Sequence, residues 1–301
     1  MPALLRPDQL ATVCNTTDIA GAITRQAAAE TGLAAGTPVI AGTDDSGAEA
    51  VSIGVLEKGD MMVQLGSTMY IIGLADKLIK DKRVWSGDFI IPGAYSVQGG
   101  TNTAGALTRW YRDHLYPDLL REEEAGAANA YDGMLDGLNQ IPPGSDGLIT
   151  LPYLAGERTP LNDPYAKGVI FGLHLKHTRK HLYRSALESI GYSLAQHLAI
   201  FEENGVEVCN IIAVGGGTKS SIWLQIIADI TGKTIATSDV NIGASFGDAA
   251  MAAIGTGYFS GFSSLRKYLT PAPSIHRIRK LTGNTRNTSV CSTSYITPPR
   301  T

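Results

Sequence analysis

Two adjacent carboxylates, Asp44 and Asp45, follow the short apolar run 38–41. A carboxylate at the end of a strand can accept a proton from a substrate hydroxyl group, but it is also a common turn residue. Successive residues at a strand end point in opposite directions, so we expect only one of the two to face a site. The residues by themselves leave a catalytic base and a turn as open alternatives.

Glycine-bearing turns supply the second kind of candidate chemistry. The turn 66–68 can offer backbone N–H and hydroxyl groups to phosphate oxygens, and it is equally typical of a plain hairpin. The turn 215–220 leads from an apolar run into a helix, as in a nucleotide site or a tight packing turn. Neither the P-loop pattern nor the Rossmann fingerprint occurs.

Two further groups of polar residues have competing interpretations. Glu157 and Arg158 stand before Pro160, where a structural ion pair and a contact to substrate are equally good hypotheses. His174, His177 and His181 are three to four residues apart, in a segment that reads as a loop entering a helix. These histidines do not form a cluster with the spacing of a zinc site, so we predict no metal site in the protein itself.

Apolar runs closed by glycine predict the strands that position these groups. The predicted strands are 38–41, 61–65, its hairpin partner 69–72, 148–151 and 211–214. Apolar spacing of three to four predicts helices over about 103–114, 178–204, 220–231 and 244–254. Thr178 is expected to cap the longest helix and Gly205 to end it. Trp110 and Trp223 are expected to fill the core.

Composition describes an ordinary globular chain of 301 residues, with 44% hydrophobic and 18% charged residues. No apolar run has the length of a membrane span, so we expect no membrane partner. The three cysteines have no metal or disulfide spacing, which indicates a reducing cytoplasm. Residues 249–301 lack Asp and Glu but have no dense basic run, which favours a solvated tail over a nucleic-acid arm. From about Pro271 the pattern predicts disorder or irregular structure.

Together the elements resemble a known family. The run Gly168–Leu173, followed seven residues later by His181–Glu188, is similar to the second signature of the FGGY carbohydrate kinases. The run Leu151–Pro164 resembles xylulokinase-like and gluconate-kinase-like members of that family. The resemblance extends from about residue 7 to residue 262.

The resemblance implies an α/β fold, a lobe of the actin-like (ribonuclease H-like) ATPases with a mixed sheet flanked by helices. Residues 1–48 would be the end of a first lobe whose larger part is absent. Residues 49–262 would be the second, C-terminal lobe, and residues 263–301 an irregular basic tail. No Asp-x-Gly-Thr phosphate turn occurs in the sequence, so we expect a fragment or one half of a longer enzyme.

The same resemblance implies roles for particular residues. Asp45 matches the catalytic base, with Ser46 beside it as a substrate contact. The positions that match nucleotide contacts are Gly66, Ser67, Thr68, Gly105, Arg109, Gly216, Gly217 and Ser220. The implied cofactors are ATP and Mg²⁺.

The implied activity is ATP-dependent phosphorylation of a small sugar or polyol, with a ketose such as xylulose favoured over gluconate, ribulose or glycerol. The alternative is a catalytically inactive half-kinase that binds nucleotide or acts as an interaction module. The expected partners are a small sugar and, as one possibility, further copies of the chain in a homo-oligomer. No nucleic-acid partner is expected.

Overall fold

The computed structural model describes residues 6–238, 243–269 and 274–275. Its strands are β1 (Ile19–Ala22), β2 (Pro38–Ile40), β3 (Asp60–Leu65), β4 (Met69–Ala75), β5 (Trp85–Asp88), β6 (Tyr95–Thr101), β7 (Ile149–Leu151), β8 (Val169–Phe171), β9 (Asn210–Val214), β10 (Ile235–Thr237) and β11 (Ser274–Ile275). Its α-helices are α1 (Arg25–Thr31), α2 (Asp45–Ser52), α3 (Gly105–Leu115), α4 (Pro117–Glu124), α5 (Ala130–Leu135), α6 (Arg179–Glu203), α7 (Ser221–Thr231) and α8 (Ala244–Gly255).

A seven-stranded mixed sheet forms the centre of the molecule, in the order β11-β10-β9-β3-β4-β6-β5. The strands β3, β4, β6 and β5 pair antiparallel, whereas β3, β9 and β10 pair in parallel. Val63 pairs with Ile71 on one side and with Ala213 on the other. The predicted hairpin and the predicted strand at 211–214 therefore belong to one sheet, and the mixed sheet expected from the sequence is confirmed.

Helices cover both faces of this sheet because its strands are apolar on both sides. On β3, Met61, Val63 and Leu65 face a core that includes apolar side chains of α3, α6 and α7. Met62 points the opposite way and packs with Ala50 of α2. Helix α8 lies against α2 on that second face.

The two clearest predicted helices begin and end where their capping residues indicate. Thr178 is the N-cap of α6, and its backbone N–H donates to Nδ1 of His181 at 3.1 Å. Gly205, with φ of 73°, follows the last turn. Helix α7 has Ser220 as N-cap, where the side chain accepts a hydrogen bond from the Trp223 N–H, and it ends at Gly232 with φ of 69°.

Two predicted strands lie outside the central sheet. The run at 38–41 forms β2, which pairs with β1 in a separate two-stranded sheet. The run at 148–151 forms β7, which pairs with β8 in another. Apolar periodicity identifies a strand, but it does not identify the neighbour with which that strand pairs.

The expected irregular tail begins with ordered structure. Phe262–Tyr268 is a 3₁₀ helix whose Leu265 is buried against α2 and α8. Arg266 forms ion pairs with Glu57 and with Asp60 at the start of β3. This burial and pairing explain why the segment is folded although its sequence lacks helical periodicity. Residues 270–273 and 276–301 of the predicted tail lie outside the described residues.

No helix in the described part of the chain is both long enough and apolar enough to cross a membrane.

Candidate functional site

A cavity of about 630 Å³ opens where β3 ends and where α3 and α7 begin. It contains seven of the eight residues predicted to contact a nucleotide: Gly66, Ser67, Gly105, Arg109, Gly216, Gly217 and Ser220. Thr68 is not among the lining residues. Three turns that are far apart in sequence therefore form one continuous wall.

The two glycine turns meet because the strands before them are parallel neighbours. Gln64 of β3 pairs with Val214 of β9, so both strands end at the same edge of the sheet. Gly215 has φ of 90°, and a Cβ atom there would lie 2.8 Å from the carbonyl oxygen of Leu65. Glycine is thus required for the second turn to lie against the first.

The start of α3 holds the turn at 66–68 in place. The N–H groups of Ala104 and Ala106 donate to the carbonyl oxygen of Ser67, at 2.9 and 3.0 Å, and the Gly105 N–H donates to that of Gly66 at 2.8 Å. A Cβ atom at residue 105 would lie 2.6 Å from the Gly66 oxygen. These N–H groups are already bonded to protein, so Gly105 acts by positioning the turn.

The opposite wall of the cavity was missed by sequence reasoning. It is built largely by Asn129, Tyr131, Asp132 and Leu135, from the start and body of α5. Helix α5 has six residues, too few to show apolar periodicity, and the segment contains no motif. Its polar residues could be recognised only after the fold had placed them opposite the glycine turns.

The two tryptophans behave differently. Trp223 is buried as predicted, and its Nε1 donates to the carbonyl oxygen of Leu187 at 3.3 Å beside the cavity. The prediction for Trp110 is wrong, because this side chain is exposed and packs edge-on against Tyr111. Leu107 and Tyr111 define the buried face of α3, and Trp110 lies outside it.

A second cavity, of about 500 Å³, lies near the ends of α6 and α7. Its walls include Ala199, Val206, Val208 and Lys233. None of the predicted site residues lines this second cavity.

The two adjacent carboxylates make different contacts. Asp44 is the N-cap of α2, and its Oδ1 accepts a hydrogen bond from the Gly47 N–H at 2.7 Å. Asp45 is the first residue of the same helix and is exposed. The side chain of Asp45 therefore lies at an open position at the start of α2.

One turn further along α2, Glu49 lies on the same side as Asp45. Its Oε2 accepts a hydrogen bond from Nε2 of Gln64 at 2.7 Å, which ties α2 to β3. Burial, and next the charge of Asp45, raise the pKa of Glu49. Glu49 is not among the site residues predicted from the sequence.

A polar cluster surrounds Tyr70 on the face of the sheet that carries α2. The Tyr70 hydroxyl donates to Oε1 of Gln98 at 2.6 Å and also interacts with the side chain of Ser46. Burial raises the pKa of Tyr70, the Ser46 hydrogen bond and the charge of Arg158 lower it, and the charges of Asp44 and Asp45 raise it. We call Ser46, Tyr70, Gln98 and Arg158 the Tyr70 cluster.

The ion pair considered for Glu157 and Arg158 is absent within the described part of the chain. Glu157 is instead buried and accepts hydrogen bonds from Oγ1 of Thr101 at 2.7 Å and from the N–H groups of Asn102 and Arg158. Burial raises the pKa of Glu157 to about 7, against the effect of these donors. Glu157 therefore ties its loop to the end of β6.

The three histidines form a ring cluster. His174 and His177 stack with ring centroids 3.7 Å apart, and His181 lies 5.2 Å from His177. In residues 6–238, 243–269 and 274–275, no group of three or more His, Cys, Asp and Glu side chains is arranged to hold a metal ion.

Comparisons with known proteins give the relatives of this chain. The Bacillus subtilis protein "Xylulose kinase" is 31% identical over 244 residues, which cover 80% of this chain and 47% of that protein. "Gluconokinase" of the same organism is 29% identical, over 87% of this chain and 51% of that protein. The chain thus spans about half the length of these curated relatives.

Solved structures agree with the fold. The crystal structure of xylulose kinase from Rhodospirillum rubrum matches with a TM-score of 0.87 and 28% identity, over 97% of this chain and 57% of that one. Gluconate kinase from Lactobacillus acidophilus matches with a TM-score of 0.85 and 21% identity, over 97% and 57%. The predicted actin-like fold is confirmed.

A family model assigns the core of the chain. The model described as "FGGY family of carbohydrate kinases, C-terminal domain" matches residues 61–256, which include most of β3 and all of the helices α3–α8. The chain therefore belongs to the FGGY family of carbohydrate kinases.

Proposed function

We propose that this chain is the nucleotide-binding lobe of an enzyme that phosphorylates a small sugar or polyol with ATP. The observation that carries the proposal is the single cavity lined by seven residues that the family resemblance predicts as nucleotide contacts. In this proposal residues 49–262 are the second lobe and residues 1–48 the end of the first. The relatives' names favour a ketose such as xylulose, with gluconate, ribulose and glycerol as alternatives.

The cavity fits a nucleotide in size and in chemistry. Its volume of about 630 Å³ lies within the range of about 300–1,000 Å³ that is usual for small-molecule sites. Gly66 and Ser67 would offer the phosphate side, and Gly216, Gly217 and Ser220 the adenine side. The Gly216 position has no protein atom within 4 Å of an added Cβ, so the backbone there is open to a ligand.

Magnesium would enter with the nucleotide. This ion keeps several waters and takes only one or two carboxylates besides phosphate oxygens, so it needs no cage of protein ligands. Asp132 is a carboxylate that lines the cavity itself, and it would take part. When bound, Mg²⁺ would neutralise charge on the phosphates.

Asp45 would act as general base. Its carboxylate lies at the start of α2, beside the Tyr70 cluster. It would accept the proton of the acceptor hydroxyl as that oxygen attacks the terminal phosphorus of ATP. Ser46, through its contact with Tyr70, would help to orient the acceptor.

The test is a calorimetric titration of the 301-residue chain with ATP and Mg²⁺. Gly216→Val adds a side chain to open space in the cavity, so it should keep the melting temperature but weaken binding at least about tenfold. Gly87→Val is the matched control, because its Cβ also meets no atom within 4 Å but lies on β5, away from the cavity.

The wild-type chain should bind in about the millimolar range, since one lobe supplies only part of the contacts. Equal affinity of Gly216→Val and wild type would contradict the proposed cavity. The coverage of about half of each relative favours a second candidate for the isolated chain, a nucleotide-binding module without catalysis. A coupled assay with ATP and xylulose, gluconate, ribulose and glycerol distinguishes the two.

A further inference from the structure

The guanidinium of Arg158 is not used by the chemistry described above. The backbone around it is firmly fixed: Thr101 and Asn102 bind Glu157, and Oγ1 of Thr159 accepts a hydrogen bond from the Gly100 N–H at 2.7 Å. The amide of Asn102 also donates to the carbonyl oxygen of Ala155 at 3.0 Å. These hydrogen bonds hold the loop 155–159 against the end of β6, and they fix the backbone position of residue 158.

Sheet register places this loop one strand away from Tyr70, along the free edge of β6. Tyr70 of β4 pairs directly with Gly100 of β6, the residue whose N–H donates to Oγ1 of Thr159. The charge of Arg158 acts on the Tyr70 hydroxyl, as do the charges of Asp44 and Asp45. Arg158 thus reaches the side of the lobe on which the proposed general base lies.

The charge of Arg158 acts on Glu157 and on Tyr70, but Arg158 forms an ion pair with neither of them. Its side chain is half-buried, and within residues 6–238, 243–269 and 274–275 it forms no ion pair or side-chain hydrogen bond. A partly desolvated cation normally has a partner, and Glu157, the nearest carboxylate in sequence, is bonded to Thr101 instead. The vacant donors of a guanidinium suit an oxyanion, which they can bind through two hydrogen bonds.

The neighbours of Arg158 indicate the chemical class of the ligand more closely. Ser46, Tyr70 and Gln98 present hydroxyl and amide groups, which are suited to the hydroxyl groups of a polyol. A lone cation beside neutral hydrogen-bonding groups is suited to a polyhydroxy compound that carries, or is receiving, a negatively charged group.

We propose that Arg158 binds an oxyanion on the acceptor side of the site, next to Asp45. This inference rests on the proposed function and adds a specificity residue to it. The oxyanion has two sources: the phosphoryl group in transfer, or the carboxylate of a sugar acid acceptor.

Ligand titrations of Arg158→Gln in the 301-residue chain separate the sources. The probes are ADP, a non-hydrolysable ATP analogue, gluconate and xylulose, each with Mg²⁺. Loss of about tenfold or more in affinity for the ATP analogue, with ADP unchanged, assigns the phosphoryl group. The same loss for gluconate, with xylulose unchanged, assigns the carboxylate. Affinities within about twofold of wild type for all four probes overturn the proposal.

Lys167→Gln is the matched control, since it removes one positive charge from an exposed position of the neighbouring loop. It should change no affinity. Arg158→Lys keeps the charge but loses the planar fork, so it should retain part of the affinity that Arg158→Gln loses. Melting temperatures report whether each variant is folded.

A second measurement needs no variant. Phenylglyoxal modifies accessible arginines, and mass spectrometry gives the rate at Arg158 in the wild-type chain. Inorganic phosphate or gluconate should slow modification of Arg158 at least about threefold relative to Arg6, which is exposed and paired with Asp8. Equal rates with and without both anions overturn the inference, whereas failure of ATP binding alone contradicts the proposed function and not this site.

Discussion

Asp44 and Asp45 differ in what their carboxylates contact. Both residues are exposed, but the Asp44 side chain accepts a hydrogen bond from the backbone of its own helix, whereas Asp45 forms no side-chain hydrogen bond within the described residues. Both residues lie at the start of α2 and not at a strand end, so the N-cap contact, and not strand alternation, distinguishes them. That only one of them faces a site stays a prediction. At the scale of single residues, a side chain that already forms a hydrogen bond within the protein is less available to a substrate than one that does not.

The different contacts of Asp44 and Asp45 predict that substitutions of the two residues have different effects, on stability and on turnover respectively. Asp44→Ala should destabilise the 301-residue chain by about 1 kcal/mol through loss of the cap, whereas Asp44→Asn keeps an N-cap and should cost little. Chemical denaturation measures both. In a complete enzyme with both lobes, Asp45→Asn should lower turnover by about 10²-fold or more with ATP binding nearly intact. A severe loss from Asp44→Asn with a mild loss from Asp45→Asn would mean that the base is Asp44.

Glu157 predicts a pH dependence of stability. Its pKa is raised by burial from 4.5 to about 7 in the folded chain, so the folded state binds the proton more tightly than the unfolded state. Its contribution is therefore fully present below pH about 4.5 and is lost as pH rises to about 7. The shift corresponds to roughly 3 kcal/mol.

The measurement is the free energy of unfolding at pH 5 and pH 8, in wild type and in Glu157→Gln. Burial lowers the pKa of His197, which favours stability as pH rises, and raises the pKa of Glu49 and Glu188, which acts the other way. The comparison with Glu157→Gln removes these shared effects. An equal pH slope in both proteins would show that Glu157 is ionised throughout this range.

At the scale of elements, the site depends on where strands end. β3 and β9 are parallel neighbours, so the glycine turns that follow them lie together although they are far apart in sequence. Helix α3 then fixes the first turn through its N-terminal N–H groups. The 3₁₀ helix Phe262–Tyr268 fastens the other end of β3 through Arg266 and Asp60.

The attachment of that 3₁₀ helix is testable by a single substitution. Arg266→Ala leaves the buried carboxylate of Asp60 without its cation, so the free energy of unfolding should fall by about 1–3 kcal/mol. Lys267→Ala, at the next position, is the control and should have little effect. Urea denaturation of the three proteins gives the comparison. Identical midpoints would indicate that residues 262–268 do not contribute to the folded body.

At the scale of the whole molecule, the sequence predicted the parts that depend on local pattern. The strands at 61–65 and 211–214, the long helix and its caps, and the glycine turns follow from periodicity and turn chemistry. The second wall of the cavity, with Asn129 and Asp132, could not be predicted, because only the tertiary fold places α5 there. Likewise, only the tertiary fold shows that Glu157 is bonded to Thr101 and forms no ion pair with Arg158.

The N-terminal part of the chain predicts self-association. In residues 6–48, Leu10, Val13 and Leu33 are 62%, 96% and 54% exposed. Exposed apolar side chains in one region favour contact with another copy of the chain. Light scattering should show a mass that rises with concentration, and Val13→Asp with Leu33→Asp should shift it toward the monomer. Phe171→Asp, at an exposed apolar position on β8, is the control. A wild-type monomer at all concentrations would contradict the prediction.

The most direct test of the central claim is a map of amide chemical shifts of the 301-residue chain during titration with ATP and Mg²⁺. This method detects weak binding residue by residue. The nucleotide-cavity account predicts shifts at Gly66, Gly217 and Ser220, and at Tyr131 on the opposite wall, with none at Val206 beside the second cavity. Shifts confined to the second cavity, or none at millimolar ATP, would contradict the assignment of the glycine turns to a nucleotide site.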